Sequence, residues 1–189
     1  MGIERTSPER LKPFFFQLVR QSFDQLHMGD NQIADYMATM LADFSHSDNW
    51  LMLRDTQGTR LHSVVEMLIS AIGPEGQSRV IGERAVRKYV GDYTLFMSGL
   101  FRTFVQKRGF FEFYLQEGKR SYQAVSELDV SLYRPGFLLF EELSKRFETY
   151  ADALDYMRKC YFAAAPGTNP FAGVLKQFES MVRNGFSSN

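Results

Sequence analysis

Asp92 is the residue of this sequence whose setting most suggests chemistry. It stands in the run Gly91-Asp92-Tyr93-Thr94-Leu95-Phe96-Met97-Ser98-Gly99, which carries no other charge. A carboxylate drawn into so apolar a stretch is costly to bury unless a cation or a hydroxyl meets it. On a helix, Arg84, Lys88 and Asp92 lie four apart on one face beside Tyr89 and Tyr93, and Lys88 can pair with Asp92. The later segment Tyr114 to Tyr122 supplies Glu117, Lys119, Arg120, Ser121 and Tyr122. Asp92, Tyr93, Glu117, Lys119 and Tyr122 are therefore the candidate ligand-binding set. They could hold a small molecule or, with Asp92 and Glu117 as acid and base, move protons. A buried network that sets helix register uses the same residue types, so register, ligand binding and catalysis all stay open at this point.

Other signatures of catalysis are missing. There is no Walker-type phosphate loop, dinucleotide fingerprint, HExxH or nucleophile elbow. His27, His46 and His62 are scattered, and none has a Glu three residues before it, so the Glu-x-x-His pairs of di-iron bundles are absent. Cys160 is the sole cysteine, which excludes an intramolecular disulfide and a thiolate-rich zinc site. No catalytic residue, metal ligand or cofactor is assigned, and a non-enzymatic protein is expected ahead of an enzyme.

Twenty-two Lys and Arg balance twenty-two Asp and Glu, a formal charge of zero that argues against a nucleic-acid or anionic-membrane partner. Between Arg79 and Arg120 the balance is locally basic, nine cations to four acids, with aromatics interleaved. Arg84 and Lys88 stand roughly five helical turns from Lys107 and Arg108, however, so a solvated face is expected rather than a nucleic-acid surface. The charged segment Met1 to Lys12 lacks the apolar core of a signal peptide, and no run reaches the ~18 apolar residues of a membrane span. A cytoplasmic protein is the expectation.

The elements that must position these residues are helical, because apolar residues recur at i, i+3, i+4 and i+7 almost throughout. The spacing predicts a first helix from Ser7-Pro8-Glu9 to about His27, bent near Pro13 and ended by Gly29, with Phe15, Leu18, Val19, Phe23 and Leu26 inward. Asp30 or Asn31 caps a second, carrying Ile33, Tyr36, Met37, Met40, Leu41 and Phe44. Residues 51–61 form either a short apolar piece with a loop or a small hairpin. A third helix spans about Arg60 to Ile72 with Val64, Val65 and Leu68 buried. A long one spans Glu75 to Lys107, carrying Val80, Ile81, Ala85, Tyr89, Phe96, Leu100, Phe104 and Val105, and its Gly82, Gly91 and Gly99 mark a kink or a close crossing. Further helices follow over Phe111 to Leu128, after the turn Arg134-Pro135-Gly136, and from Tyr150 to Tyr161, the last two either separate or continuous.

Eighteen Phe and nine Tyr against one Trp make aromatics the compositional oddity. They fill a bundle interior, line a cavity for a small apolar ligand, or form a partner surface. The best partner candidate is a terminal helix after a connector at 163–169. Phe171, Val174, Leu175, Phe178 and Met181 make its apolar stripe, and Lys176 and Arg183 are its cations, so a protein is preferred to a lipid surface. The expected architecture is an all-α, single-domain bundle of about seven or eight helices over residues 1–162, the connector, and an amphipathic helix and tail at 170–189.

The run Gly91 to Phe101, followed by Gly118-Lys119-Arg120-Ser121-Tyr122, resembles segments of uncharacterised bacterial all-helical proteins. The resemblance implies a bacterial cytosolic setting and carries no activity. A helical transcriptional regulator of the tetracycline-repressor type is a weaker match, because Gly29 to Phe44 is one amphipathic helix with little basic character. The leading expectation is a non-enzymatic binding or adaptor protein that recruits a protein partner or self-associates through an aromatic-rich surface. The alternative is a bundle around Asp92 and Glu117 that binds a small molecule and could act on it.

Overall fold

The computed structural model describes residues 8–45, 64–70, 77–162 and 180. Among them the chain is an all-α, multi-helix bundle of eight helices with no strand. The helices are α1 (Pro8–Gln25), α2 (Asn31–Phe44), α3 (Val64–Ser70), α4 (Gln77–Leu100), α5 (Arg102–Lys107), α6 (Phe111–Ser131), α7 (Phe137–Lys145) and α8 (Phe147–Met157), followed by a π-helical turn at Arg158–Phe162. The alternative hairpin at 51–61, the connector at 163–169 and the stripe Phe171, Val174, Leu175, Phe178 and Met181 lie outside the described residues. None of the described helices is long and apolar enough to cross a membrane.

The chain divides into two compact units, residues 1–50 with 156–189, and residues 51–155. In the first, α1 buries Leu11, Phe15, Leu18, Val19 and Phe23 and packs on α2, which buries Ile33, Met37, Met40, Leu41 and Phe44. Helix α1 runs through Pro13 without interruption. It ends before Gly29, because His27 takes the left-handed conformation (φ 56°) and the Met28 N–H donates to the Phe23 carbonyl at 2.8 Å. Leu26 thereby leaves the inward face and is exposed. Asp30 is the cap of α2, its carboxylate accepting from the N–H of Gln32 and Ile33 at 2.9 and 3.0 Å.

The second unit is built around α4, whose residues 91–100 are all buried. That explains why Gly91 to Leu100 has no polar stripe, since a helix enclosed on every side has no solvent face to mark. It packs chiefly on α6, and α6 in turn on α7. The expected long helix is broken at Phe101 (φ −115°, ψ 27°), where α5 begins. Likewise Arg146 (φ −114°, ψ 28°) separates α7 from α8, so those two are not continuous. In α3 Val65 is exposed and Met67 takes the inward place beside Val64. The inward face of α4 uses Val86 and Val90, and Ala85 is exposed.

Glycines set how near α4 comes to its neighbours. A Cβ at Gly91 would lie 2.6 Å from the Tyr122 ring, and one at Gly118 would lie 2.6 Å from the Thr94 hydroxyl and strike Phe147. Only a residue without a side chain allows the α4–α6 approach at those two positions. Gly82, by contrast, faces open space.

Candidate functional site

Asp92 is buried (6% exposed) at the α4–α6 crossing. The Tyr122 hydroxyl donates to its Oδ1 at 2.8 Å from α6, and the Lys88 ammonium donates to Oδ2 at 2.6 Å from one turn back on α4. The carboxylate therefore has both a hydroxyl and a cation, the two partners that its burial requires. Tyr122 is itself fully buried, its ring against Phe140 and Phe147 at centroid distances of 5.8 and 5.9 Å. Lys88 keeps part of its side chain in solvent, so the charge pair reaches water at its ammonium end.

The other sequence candidates have different partners. Tyr93 stacks on Tyr89 at 6.3 Å and is hydrogen-bonded through its hydroxyl to Tyr114. Burial pushes the Tyr93 phenol well above its usual pKa, with Tyr114 adding to the shift. Burial raises Tyr89 too, helped by the negative charge of Asp92, and raises Tyr114 against the opposing hydrogen bond to Tyr93 and the charge of Arg108. All three are held as neutral phenols. Glu117 is buried on α6 with Arg120 at 3.9 Å, and Lys119 pairs with Glu148 of α8. Of the five candidates, a hydrogen bond joins Asp92 to Tyr122.

Two further charged junctions escaped the sequence reading. Arg84 grips Asp129 with a two-pronged pair, Nε to Oδ1 at 2.5 Å and Nη2 to Oδ2 at 2.8 Å, while its guanidinium lies 5.6 Å from the Phe140 ring. Asp129 is fully buried, and its Oδ2 lies 3.4 Å from where a Cβ at Gly136 would stand, so this carboxylate sits beneath the α6–α7 turn. The signal was available: Leu128-Asp129-Val130 places an acid between apolar neighbours, as at Asp92. Arg102 binds Asp152 at 2.6 Å, the Ser98 carbonyl at 3.1 Å and the face of Phe111 at 5.2 Å. Sequence alone could not pair residues fifty apart.

Ion pairs also engage six of the nine cations of the locally basic stretch. Arg84, Arg87, Lys88, Arg102, Lys119 and Arg120 each face a carboxylate: Asp129, Glu83, Asp92, Asp152, Glu148 and Glu117 respectively. Among the described residues, no three His, Cys, Asp or Glu side chains gather as a metal ion would require.

The arrangement at Asp92 is suited to fixing a helix crossing. The hydroxyl and the ammonium each take one oxygen of the carboxylate, and rings enclose Tyr122. A different feature meets solvent. At the α6–α7 turn, Tyr133 is 97% exposed, with Val130 (55%) and Leu138 (60%) exposed on the flanking helices. Tyr133 also holds the left-handed conformation (φ 53°) that glycine usually takes after a helix. No protein-family model, curated protein or solved structure matches this chain.

Proposed function

We propose that this chain is a non-enzymatic helical binding protein that engages a protein partner through the apolar corner of the α6–α7 hairpin. The observation that carries this reading is Tyr133. A left-handed backbone costs a non-glycine residue roughly 1 kcal/mol, and a ring 97% exposed recovers nothing in the free chain. The exposed ring is free to contact a partner, and tyrosine, unlike the exposed histidine at the matching position after α1, is among the residues that anchor interfaces. Val130 and Leu138 extend the apolar surface around it. Charged and polar groups around Asp92 serve this function indirectly, by holding α6 at a set distance from α4.

A photo-crosslinking residue placed at Leu138 tests the reading, with the same residue at exposed Gln116 as the control. A discrete protein adduct at 138, lost on Tyr133→Ser, is the expected result. Equal, diffuse labelling at both positions would remove the proposal.

A further inference from the structure

The α6–α7 face has a chemistry that narrows the kind of partner. On α6, Gln123, Ser126, Glu127 and Val130 follow the i, i+3, i+4, i+7 spacing of one face, and on α7 Leu138, Glu141 and Lys145 do the same. Gln123, Ser126, Glu127, Glu141, Ser144 and Lys145 line an open groove of about 280 Å³ between the two helices. Val130 stands one turn from Glu127, and Leu138 one turn from Glu141. Val130 and Leu138 thus lie on the turn side of Glu127 and Glu141, the carboxylates that α6 and α7 contribute to the groove's lining.

The hydrogen bonds decide what the groove can still accept. Ser126 donates to the Phe137 carbonyl at 2.8 Å and Ser144 to the Lys119 carbonyl at 2.9 Å, so both hydroxyl protons are used in joining α6 to α7. These bonds keep the groove open at a fixed width. Glu127 receives only the Gln123 amide, at 3.0 Å, and has no ion pair among the described residues. Glu141 pairs with Lys145 at 2.6 Å, but both side chains are largely exposed, and such pairs are weak enough to exchange. Two carboxylates against one ammonium leave the groove acidic. Its volume falls below the roughly 300–1,000 Å³ typical of small-molecule sites, and long side chains fit it better than a whole ligand.

We infer that this groove receives a helical segment of a protein partner, with an apolar residue on Val130, Tyr133 and Leu138 and a Lys or Arg one turn further on between Glu127 and Glu141. Helix-in-groove docking matches the spacing, because residues one turn apart on the incoming helix meet the apolar and acidic ends together. The inference rests on the binding-protein reading and adds the partner's charge and register to it.

Fluorescence polarisation tests it with two alanine-based peptides of about 16 residues, long enough to hold a helix alone. One carries Leu with Arg four residues later, and the other carries Leu with Glu. The full chain is expected to bind the Arg peptide at least about tenfold more tightly, with the preference shrinking as salt rises. The Glu127→Gln/Glu141→Gln pair should weaken the Arg peptide about three- to tenfold and leave the Glu peptide unweakened. Val130→Ser/Leu138→Ser should weaken both, and circular dichroism confirms that each variant is folded. Equal binding of the two peptides, or an unchanged affinity in the Gln pair, overturns the basic-partner inference. If the Val130→Ser/Leu138→Ser variant still loses binding in that case, the binding-protein reading stands without it. Failure of both peptides to bind also overturns the inference, and the adduct at position 138 then judges the broader reading separately.

Discussion

The Tyr122 hydroxyl donates to Asp92 Oδ1 at 2.8 Å, and the same Tyr122 ring occupies the space that a side chain at Gly91 would fill. Two adjacent residues of α4 therefore define one contact: Gly91 admits the ring and Asp92 holds its hydroxyl. The bond has meaning only at this helix separation, and the separation is locked by the bond.

Tyr122→Phe removes the hydroxyl and leaves Asp92 with the Lys88 ammonium. A buried acceptor that loses a partner costs about 1–3 kcal/mol, so the urea midpoint should fall accordingly. The costs of Lys88→Met and Tyr122→Phe should not add if the three groups act as one network. Strict additivity of the two substitutions would show that they do not.

Gly91→Ala and Gly82→Ala lie on the same helix and should have opposite signs. At 91 the new methyl group meets the Tyr122 ring, and overpacking of this kind costs about 1–3 kcal/mol. At 82 it meets nothing within 4 Å, and helix propensity gains roughly 0.5–1 kcal/mol. Thermal unfolding of both variants decides it, and a stabilising Gly91→Ala would refute the close crossing.

Tyr133→Gly should stabilise the chain by about 0.5–1 kcal/mol while abolishing the adduct at position 138. Glycine relieves the left-handed strain and the lost ring was exposed, although glycine's freer unfolded chain takes back part of the gain. His27→Gly, at the corresponding position after α1 (φ 56°), should shift stability in the same direction with no effect on binding. A destabilised Tyr133→Gly would mean that the ring already has an intramolecular use.

Alkali should unfold the chain in a defined window. Tyr89, Tyr93 and Tyr114 have phenol pKa values raised in the folded state, so their stabilisation is complete below the unfolded value near 10 and is lost as pH rises above it. Each contributes a slope of up to about 1.4 kcal/mol per pH unit there. Denaturation midpoints measured from about pH 8 to about pH 11 should be flat and then drop, and less steeply in Tyr93→Phe. A midpoint that ignores pH above about 10 would contradict the burial of these hydroxyls.

The helical class, a cap at Asp30 or Asn31, the turn at Arg134-Pro135-Gly136 and the Lys88–Asp92 pair were all legible in the sequence, and the structure chose Asp30. Each depends on neighbours within about one or two turns, where residue type and the 3.6-residue period suffice. The breaks at Phe101 and Arg146 were not legible, because neither residue is a strong helix breaker and the turn is set by what packs on either side. Nor could sequence choose Tyr122 among the five polar groups of its segment, pair Arg84 with Asp129 across forty-five positions, or assign the left-handed turns to His27 and Tyr133.

An acid in the apolar run at Asp92 was therefore readable as a group in need of partners, and its spacing named Lys88 as one of them. Only the tertiary structure supplied the second partner and divided Asp92 and Tyr122 from Tyr93, Glu117 and Lys119. The physical reason is range: periodicity acts along one helix, while the crossing of two helices depends on the side chain that Gly91 lacks and the ring that Tyr122 brings.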